Sequence, residues 1–252
     1  MSTLQALLVF VAGIAAGTIN TVVGSGTLIT FPVLLGIGLP PITANVSNTI
    51  GLAPGSFVGA YGYRRELAGQ RQRSIQLGAA SVLGGVIGAV LLLTLPADAF
   101  KAIVPVLIGL ALLLVILGPR LSGWLENTRH ATSTRVSPLL WLVTLGAGVY
   151  GGYFGAAQGV LLMGILGLLL AESLQRQNAL KNVLAGLVNA VAAVVFIIAA
   201  TDHINWAAAG LIAAGAIIGG LLGARVGRRL PPAVLRGVIV VVGIVAIVKL
   251  LA

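Results

Sequence analysis

Cysteine is absent from this 252-residue chain, which excludes disulfides, thiolate metal sites and thiol nucleophiles. Charge is scarce as well: Asp, Glu, Lys and Arg make up 8% of residues, and only five are acidic. That is too little to coat a water-soluble globule of this length. Histidine occurs twice, and His130 and His203 sit in polar stretches with no third ligand nearby, so neither is expected to hold a metal. No glycine loop leading into a lysine marks a nucleotide site, and no cofactor is expected. Strict alternation of apolar and polar residues is also missing, which excludes a transmembrane β-barrel.

What the chain does have is apolar length. Hydrophobic residues make up 58% of it and the mean hydropathy is +1.10. Hydrocarbon offers backbone groups no hydrogen-bond partner, so such runs must be helical, and the chain is expected to be an all-α polytopic membrane protein. The stretch before Asn20 has no Lys or Arg ahead of its apolar run, which reads as a first membrane segment and not a cleaved signal peptide. The net charge of +10 falls in short connectors and forms no single face or tail, so it reads as topogenic charge and not as a nucleic-acid surface. Trp141 and Trp206 each open an apolar run, where an amphipathic ring prefers the headgroup layer.

Apolar length and punctuation divide the chain into five segments, a connector and five more. The first set runs about Leu4 to Val23, Thr27 to Ile37, Ile42 to Tyr63, Ile75 to Leu95 and Phe100 to Leu117. The second runs about Leu139 to Phe154, Val160 to Leu170, Leu174 to Ala200, Ala207 to Val226 and Val234 to Leu251. This gives a first membrane repeat over 1–118, a cytoplasmic connector over 119–137 and a second repeat over 138–252, integrated into one membrane domain. The halves are similar: GGVIGA from Gly84 recurs as GGLLGA from Gly219, and Lys101 matches Arg236 at the same spacing. NVSN from Asn45 lies opposite ALKN from Ala179, and GTLIT from Gly26 lies opposite GVLLM from Gly159. Duplication is the simplest origin of such a register.

The positive-inside rule puts the copies in opposite orientations. Arg64, Arg65, Arg71 and Arg73 hold the third-to-fourth connector of the first half in the cytoplasm, and Arg120, Arg129 and Arg135 hold the central connector there. In the second half the cytoplasmic loop is the fourth-to-fifth one, with Arg225, Arg228, Arg229 and Arg236, while TDHIN carries no Lys or Arg. An odd number of segments per half demands the same inversion, with both termini expected outside the cytoplasm. Inverted repeats are a recurrent plan of secondary transporters, whose substrate sites lie between the copies.

The second segment of each half is short, about 11 residues or 16 Å, against a hydrocarbon core of about 30 Å. Either it re-enters as a hairpin with the preceding helix, or it starts at mid-depth after an interrupted one. Both arrangements place an unwound turn where only protein or a wet cavity can satisfy it. At the first break, Asn20, Gly24, Ser25, Gly26 and Thr27 offer amides, a helix N-terminus and hydroxyls, a combination suited to an anion. At the second, Gly155, Gln158 and Gly159 would oppose it. The third segments add Asn45, Ser47, Asn48 and Thr49 in one half and Gln177, Asn178, Lys181 and Asn182 in the other. Lys181, the only cation well inside an apolar segment, reads equally as a pathway residue and as a snorkelling one. Asn189 reads as a bond to a neighbouring helix, with the same cavity as its alternative. Gly84, Gly88, Gly215, Gly219 and Gly223 read as close-packing positions.

These motifs carry a resemblance. AGTINTVVGSGTLITFPVLL with PPITANVSNTIGLAPGSFVGAYGYRREL, and GGYFGAAQGVLLMGIL with LKNVLAGLVNAVAAVVF, resemble the two repeats of the TauE/SafE family of membrane permeases, over nearly the whole chain. The resemblance implies export of a small sulfur-containing anion, sulfite or an organosulfonate. It places the glycine-rich turns at Gly24, Ser25 and Gly26 and at Gly155 to Gly159, the second departing from a richer glycine pattern at Ala157 and Gln158. The five acids, Glu66, Asp98, Glu126, Glu172 and Asp202, lie in or near connectors, so none is an evident proton relay. Rival readings are an anion channel, a membrane subunit that transports nothing, and a membrane-embedded lipid-phosphate phosphatase. The last would need carboxylates and arginines together inside the bundle, for which Glu172 and Arg176 are the nearest pair. Oligomeric state stays open.

Overall fold

The structure, a computed structural model, describes residues 1–127 and 135–226. The described chain is helical with no strand, in nine α-helices: α1 Thr3–Val22, α2 Thr27–Gly36, α3 Pro41–Gly62, α4 Arg71–Thr94, α5 Ala97–Asn127, α6 Pro138–Tyr153, α7 Gln158–Leu169, α8 Leu174–Ala199 and α9 Trp206–Val226. Five of them, α1, α4, α8, α9 and the Asp98–Leu117 part of α5, are long and apolar enough to cross a membrane. The expected last segment, Val234 to Leu251, and Arg129, His130, Arg228, Arg229 and Arg236 lie outside the described residues. Helix limits otherwise fall within a few residues of those expected, with one larger difference. Helix α5 runs on to Asn127, into the stretch expected to be connector.

Small residues decide which helices meet. α1 and α9 run in the same direction in close contact, because Gly13 and Gly17 let Ile212 and Ala216 approach, while Gly219 and Gly223 let Ile14 and Thr18 approach. A Cβ at Gly219 would lie 2.1 Å from the Ile14 carbonyl oxygen. α4 and α6 repeat this arrangement: Gly84 and Gly88 receive Leu145 and Val149, and a Cβ at Gly88 would lie 2.1 Å from the Val149 carbonyl oxygen. These are the packing positions read from sequence, and they replace side-chain volume with backbone contact and dispersion. α3 runs alongside α9 through Gly51, Gly55 and Gly62, and α8 runs alongside α4 through Gly78 and Gly85. α3 and α8 cross at the centre.

Both short helices turn back. Gly26 lies against Ala16 and Asn20 of α1, so α2 returns along the helix it follows, and Gln158 reaches back to Ala147 in the same way in α6–α7. The two helical hairpins enter the bundle from opposite ends, because α1 runs with α3 and α9 while α6 runs with α4 and α8.

Candidate substrate site at the hairpin tips

At each tip the helix ends identically. Val23 and Gly24 both donate to the Ile19 carbonyl, and Phe154 and Gly155 both donate to the Tyr150 carbonyl. Both glycines then adopt left-handed φ, +90° at Gly24 and +76° at Gly155, which a side chain would strain. Ala157, at φ +58°, carries that strain without being glycine.

Such an ending strands the last carbonyls of the helix, and buried stranded carbonyls need donors. At the first tip they come from α8 of the other half. Lys181 Nζ donates to the carbonyls of Asn20 at 2.9 Å and Thr21 at 3.2 Å, and Asn182 Nδ2 donates to that of Thr21 at 3.2 Å. Asn178 Nδ2 adds a longer bond to Thr21. Residues 178, 181 and 182 share one helical face, so one stripe of α8 caps α1. Lys181 is fully buried, which replaces the snorkelling reading: its ammonium sits at the negative end of the α1 dipole. At the second tip Asn45 Nδ2, from α3, donates to the Tyr153 carbonyl at 3.0 Å. The capping is thus reciprocal between halves.

The tips touch. Gly159 N donates to the Gly24 carbonyl oxygen at 2.9 Å, and Phe31 of α2 meets Phe154 of the opposite tip edge to face, centroids 5.3 Å apart. The remaining polar groups divide unequally. At the second tip, Gln158 is buried with its amide on the Ala147 carbonyl, Tyr150 Oη donates to the Ala156 carbonyl, and the Gly159 amide is taken by Gly24. At the first tip the hydroxyl of Ser25 is 1% exposed and has no hydrogen-bond partner. α2 starts from Gly26 with no side-chain cap, and no acceptor among the described residues meets the amides of Ser25, Gly26 and Thr27. The amides of Ala156 and Ala157 at the second tip likewise meet no acceptor among the described residues, so the buried Ser25 hydroxyl is what sets the first tip apart.

The expected site residues separate accordingly. Gly24, Ser25, Gly26, Gly159, Lys181 and Asn182 come together around the first tip, with Asn20 beside them. Asn48 ties α3 to α2 instead, donating to Thr27 Oγ1 at 3.2 Å and accepting from Thr30. Ser47 Oγ accepts from the Asn205 amide at 2.8 Å in the α8–α9 loop. Gly155, Gln158 and Asn45 belong to the second tip. Two residues outside the expected set join the first. Ser56 of α3 accepts from Asn20 Nδ2 at 3.1 Å and from Asn189 Nδ2 at 3.2 Å, a three-helix knot where α3 crosses α8. Asn189 thus bonds a neighbouring helix, as read, while Ser56 carried no sequence signal beyond being a serine in an apolar helix.

At the arginine-rich end, Glu172 of the α7–α8 loop binds Arg73 Nη1 at 2.9 Å and Arg176 Nε at 2.6 Å. Burial raises the Glu172 pKa, but hydrogen bonds and charge from the two arginines outweigh it, leaving it below the ordinary value. Gln70 and Ala68 complete the tie: Gln70 Nε2 donates to the Arg176 carbonyl at 3.1 Å, and Arg176 Nη1 donates to that of Ala68 at 3.0 Å.

Membrane-length helices around two hairpins that meet inside the bundle define a multi-pass membrane protein with a polar centre. The sulfite exporter TauE/SafE family model matches residues 9–250, and the chain belongs to that family. It is similar, at 28% identity, to the probable membrane transporter protein ORF9 of Sinorhizobium sp, across 96% of this chain and 91% of the relative. It is equally similar to the probable membrane transporter protein YfcA of Escherichia coli K12, across 98% and 90%. A probable membrane transporter protein of Haemophilus influenzae is 26% identical across 96% and 93%. No solved structure matches the chain. The chain is accordingly a membrane transporter of the TauE/SafE family.

Proposed function

We propose that the chain is a carrier that exports a small oxyanion, sulfite or an organosulfonate, from the bacterial cytoplasm. The observation that carries this reading is the first tip, where a buried hydroxyl without a partner and three amides without acceptors stand at one helix N-terminus. An anion there would accept from Ser25 Oγ and from the amides of Ser25, Gly26 and Thr27, with Asn20 at its edge. The described acids Glu66, Asp98, Glu172 and Asp202 sit in loops or short end turns, or at a helix start, so none opposes an anion at the centre.

The reciprocal capping and glycine contacts fit an inverted duplication, in which the halves rock about the α3–α8 crossing to expose the tips alternately. The arginine-rich end faces the cytoplasm in this reading, and both chain termini face outward. A cell interior held negative favours export by about 2.3 kcal/mol per elementary charge per 100 mV, so no coupling ion is required.

Sulfite flux in proteoliposomes tests the reading. Wild type should give saturable flux, which an anion channel would not, and Ser25→Ala should cut it by about tenfold or more, in line with loss of a charge-assisted hydrogen bond. Unaltered flux in Ser25→Ala removes the site assignment.

A further inference from the structure

A cleft of about 520 Å³ opens at the arginine-rich end, lined by Gly69, Gln72, Arg73, Gln76, Arg135 and Val136. Residues 72, 73 and 76 follow helical spacing, so one face of the first turns of α4 stays polar, with Gly69 in the turn before it. Arg135 and Val136, just before α6, complete the lining. Among the described residues the lining holds two guanidinium groups and two carboxamides and no carboxylate. Glu172 reaches Arg73 Nη1 from outside the lining.

We propose that this cleft is a second, peripheral binding site for a small doubly charged oxyanion, which it captures before passage to the hairpin tips. The proposal rests on the anion-carrier reading for the direction of travel, but the site itself is defined by this chemistry alone. A volume of this size lies in the range of ligand sites and leaves room for a hydrated anion. Guanidinium groups match oxyanion geometry with paired N–H donors, and carboxamide donors extend the set.

Arg73 gives the site a mechanical consequence. Its Nη1 also holds Glu172 and Gln70 Oε1, and Glu172 in turn holds Arg176, so this one side chain belongs to both the cleft and the tie between the α3–α4 and α7–α8 loops. An oxyanion in the cleft competes with Glu172 for Arg73. Occupancy therefore loosens the tie that joins the two halves at this end.

The test is calorimetric titration of sodium sulfite and sodium sulfate, at fixed ionic strength, onto the full chain in phosphatidylcholine nanodiscs. Binding should persist in Ser25→Ala, weaken about tenfold in Arg135→Ala, and tighten several-fold in Glu172→Gln, where Arg73 loses its competitor. The opposite signs matter, because loss of folding cannot tighten binding. Should Arg135→Ala fail to fold, the double variant Gln72→Ala/Gln76→Ala replaces it, with the same weakening expected. Equal affinity in wild type and the cleft variants, or no binding in Ser25→Ala, overturns the proposal. So does a cleft that binds neither anion and responds only when phosphatidylglycerol is added to the discs, which would assign it to a lipid headgroup. The carrier reading fails separately, through unchanged flux in Ser25→Ala.

Discussion

Gly159 N and Gly24 O are joined across 2.9 Å, the one main-chain hydrogen bond that directly links the two hairpin tips. A Cβ at Gly24 would lie 2.4 Å from Gly159 Cα, so the contact exists only because both residues lack one.

Gly24→Ala therefore meets two penalties, a φ of +90° and a clash with backbone. Gly38, at φ +95° with nothing within 4 Å of an added Cβ, isolates the first. Gly38→Ala should cost about 1 kcal/mol and Gly24→Ala about 3 kcal/mol or more. Thermal unfolding in detergent compares them; equal losses would deny the tip contact.

Lys181→Met keeps side-chain volume but removes the donor that meets the Asn20 carbonyl. Leaving a buried carbonyl unpaired should destabilise the protein by about 1–3 kcal/mol. Hydrogen exchange should rise first at residues 19–26, at the end of the capped helix. Uniform acceleration across the bundle would contradict a local capping role.

Ser25→Ala should behave oppositely in stability. Its hydroxyl is buried without a partner, so removal should leave the melting temperature unchanged or raised while sulfite flux falls. A matching fall in both would mean that Ser25 is structural.

Gly84 and Gly219 occupy corresponding places, each against a carbonyl of the helix it faces, Leu145 and Ile14. Alanine at either should destabilise by about 1–3 kcal/mol, and by similar amounts. A large disparity in unfolding would argue against equivalent halves.

The Glu172 tie predicts a pH dependence. The folded carboxyl titrates below its unfolded value, so its contribution is complete above about pH 5, where an unfolded Glu is ionised, and is lost as pH falls through the folded pKa. The stability difference between wild type and Glu172→Gln should be constant at neutral pH and shrink in acid. A difference that grows on acidification would reverse the assigned sign.

Much of the fold was legible because membrane helices announce themselves by length and hydropathy. The glycine pattern of α4 and α9 also announced its packing role, since four-residue spacing puts small residues on one face. The polar residues of α3 and α8 were legible as a cluster but not by partner. Lys181 read equally as a pathway cation and a snorkelling one because sequence spacing cannot say whether a stranded carbonyl lies opposite. Ser56 was silent because its importance comes from Asn20 and Asn189 arriving from two other helices.

Sequence alone determined that this chain lives in a bilayer, that its helices break near Gly24 and Gly155, and that the breaks must be sheltered. Backbone polarity in hydrocarbon leaves no other outcome. Tertiary structure decided that α2 and α7 turn back, that α8 caps the first tip and α3 the second, and that the Ser25 hydroxyl is left buried without a partner. Those outcomes depend on which groups face one another across the bundle, and that is fixed by three-dimensional packing instead of by order along the chain.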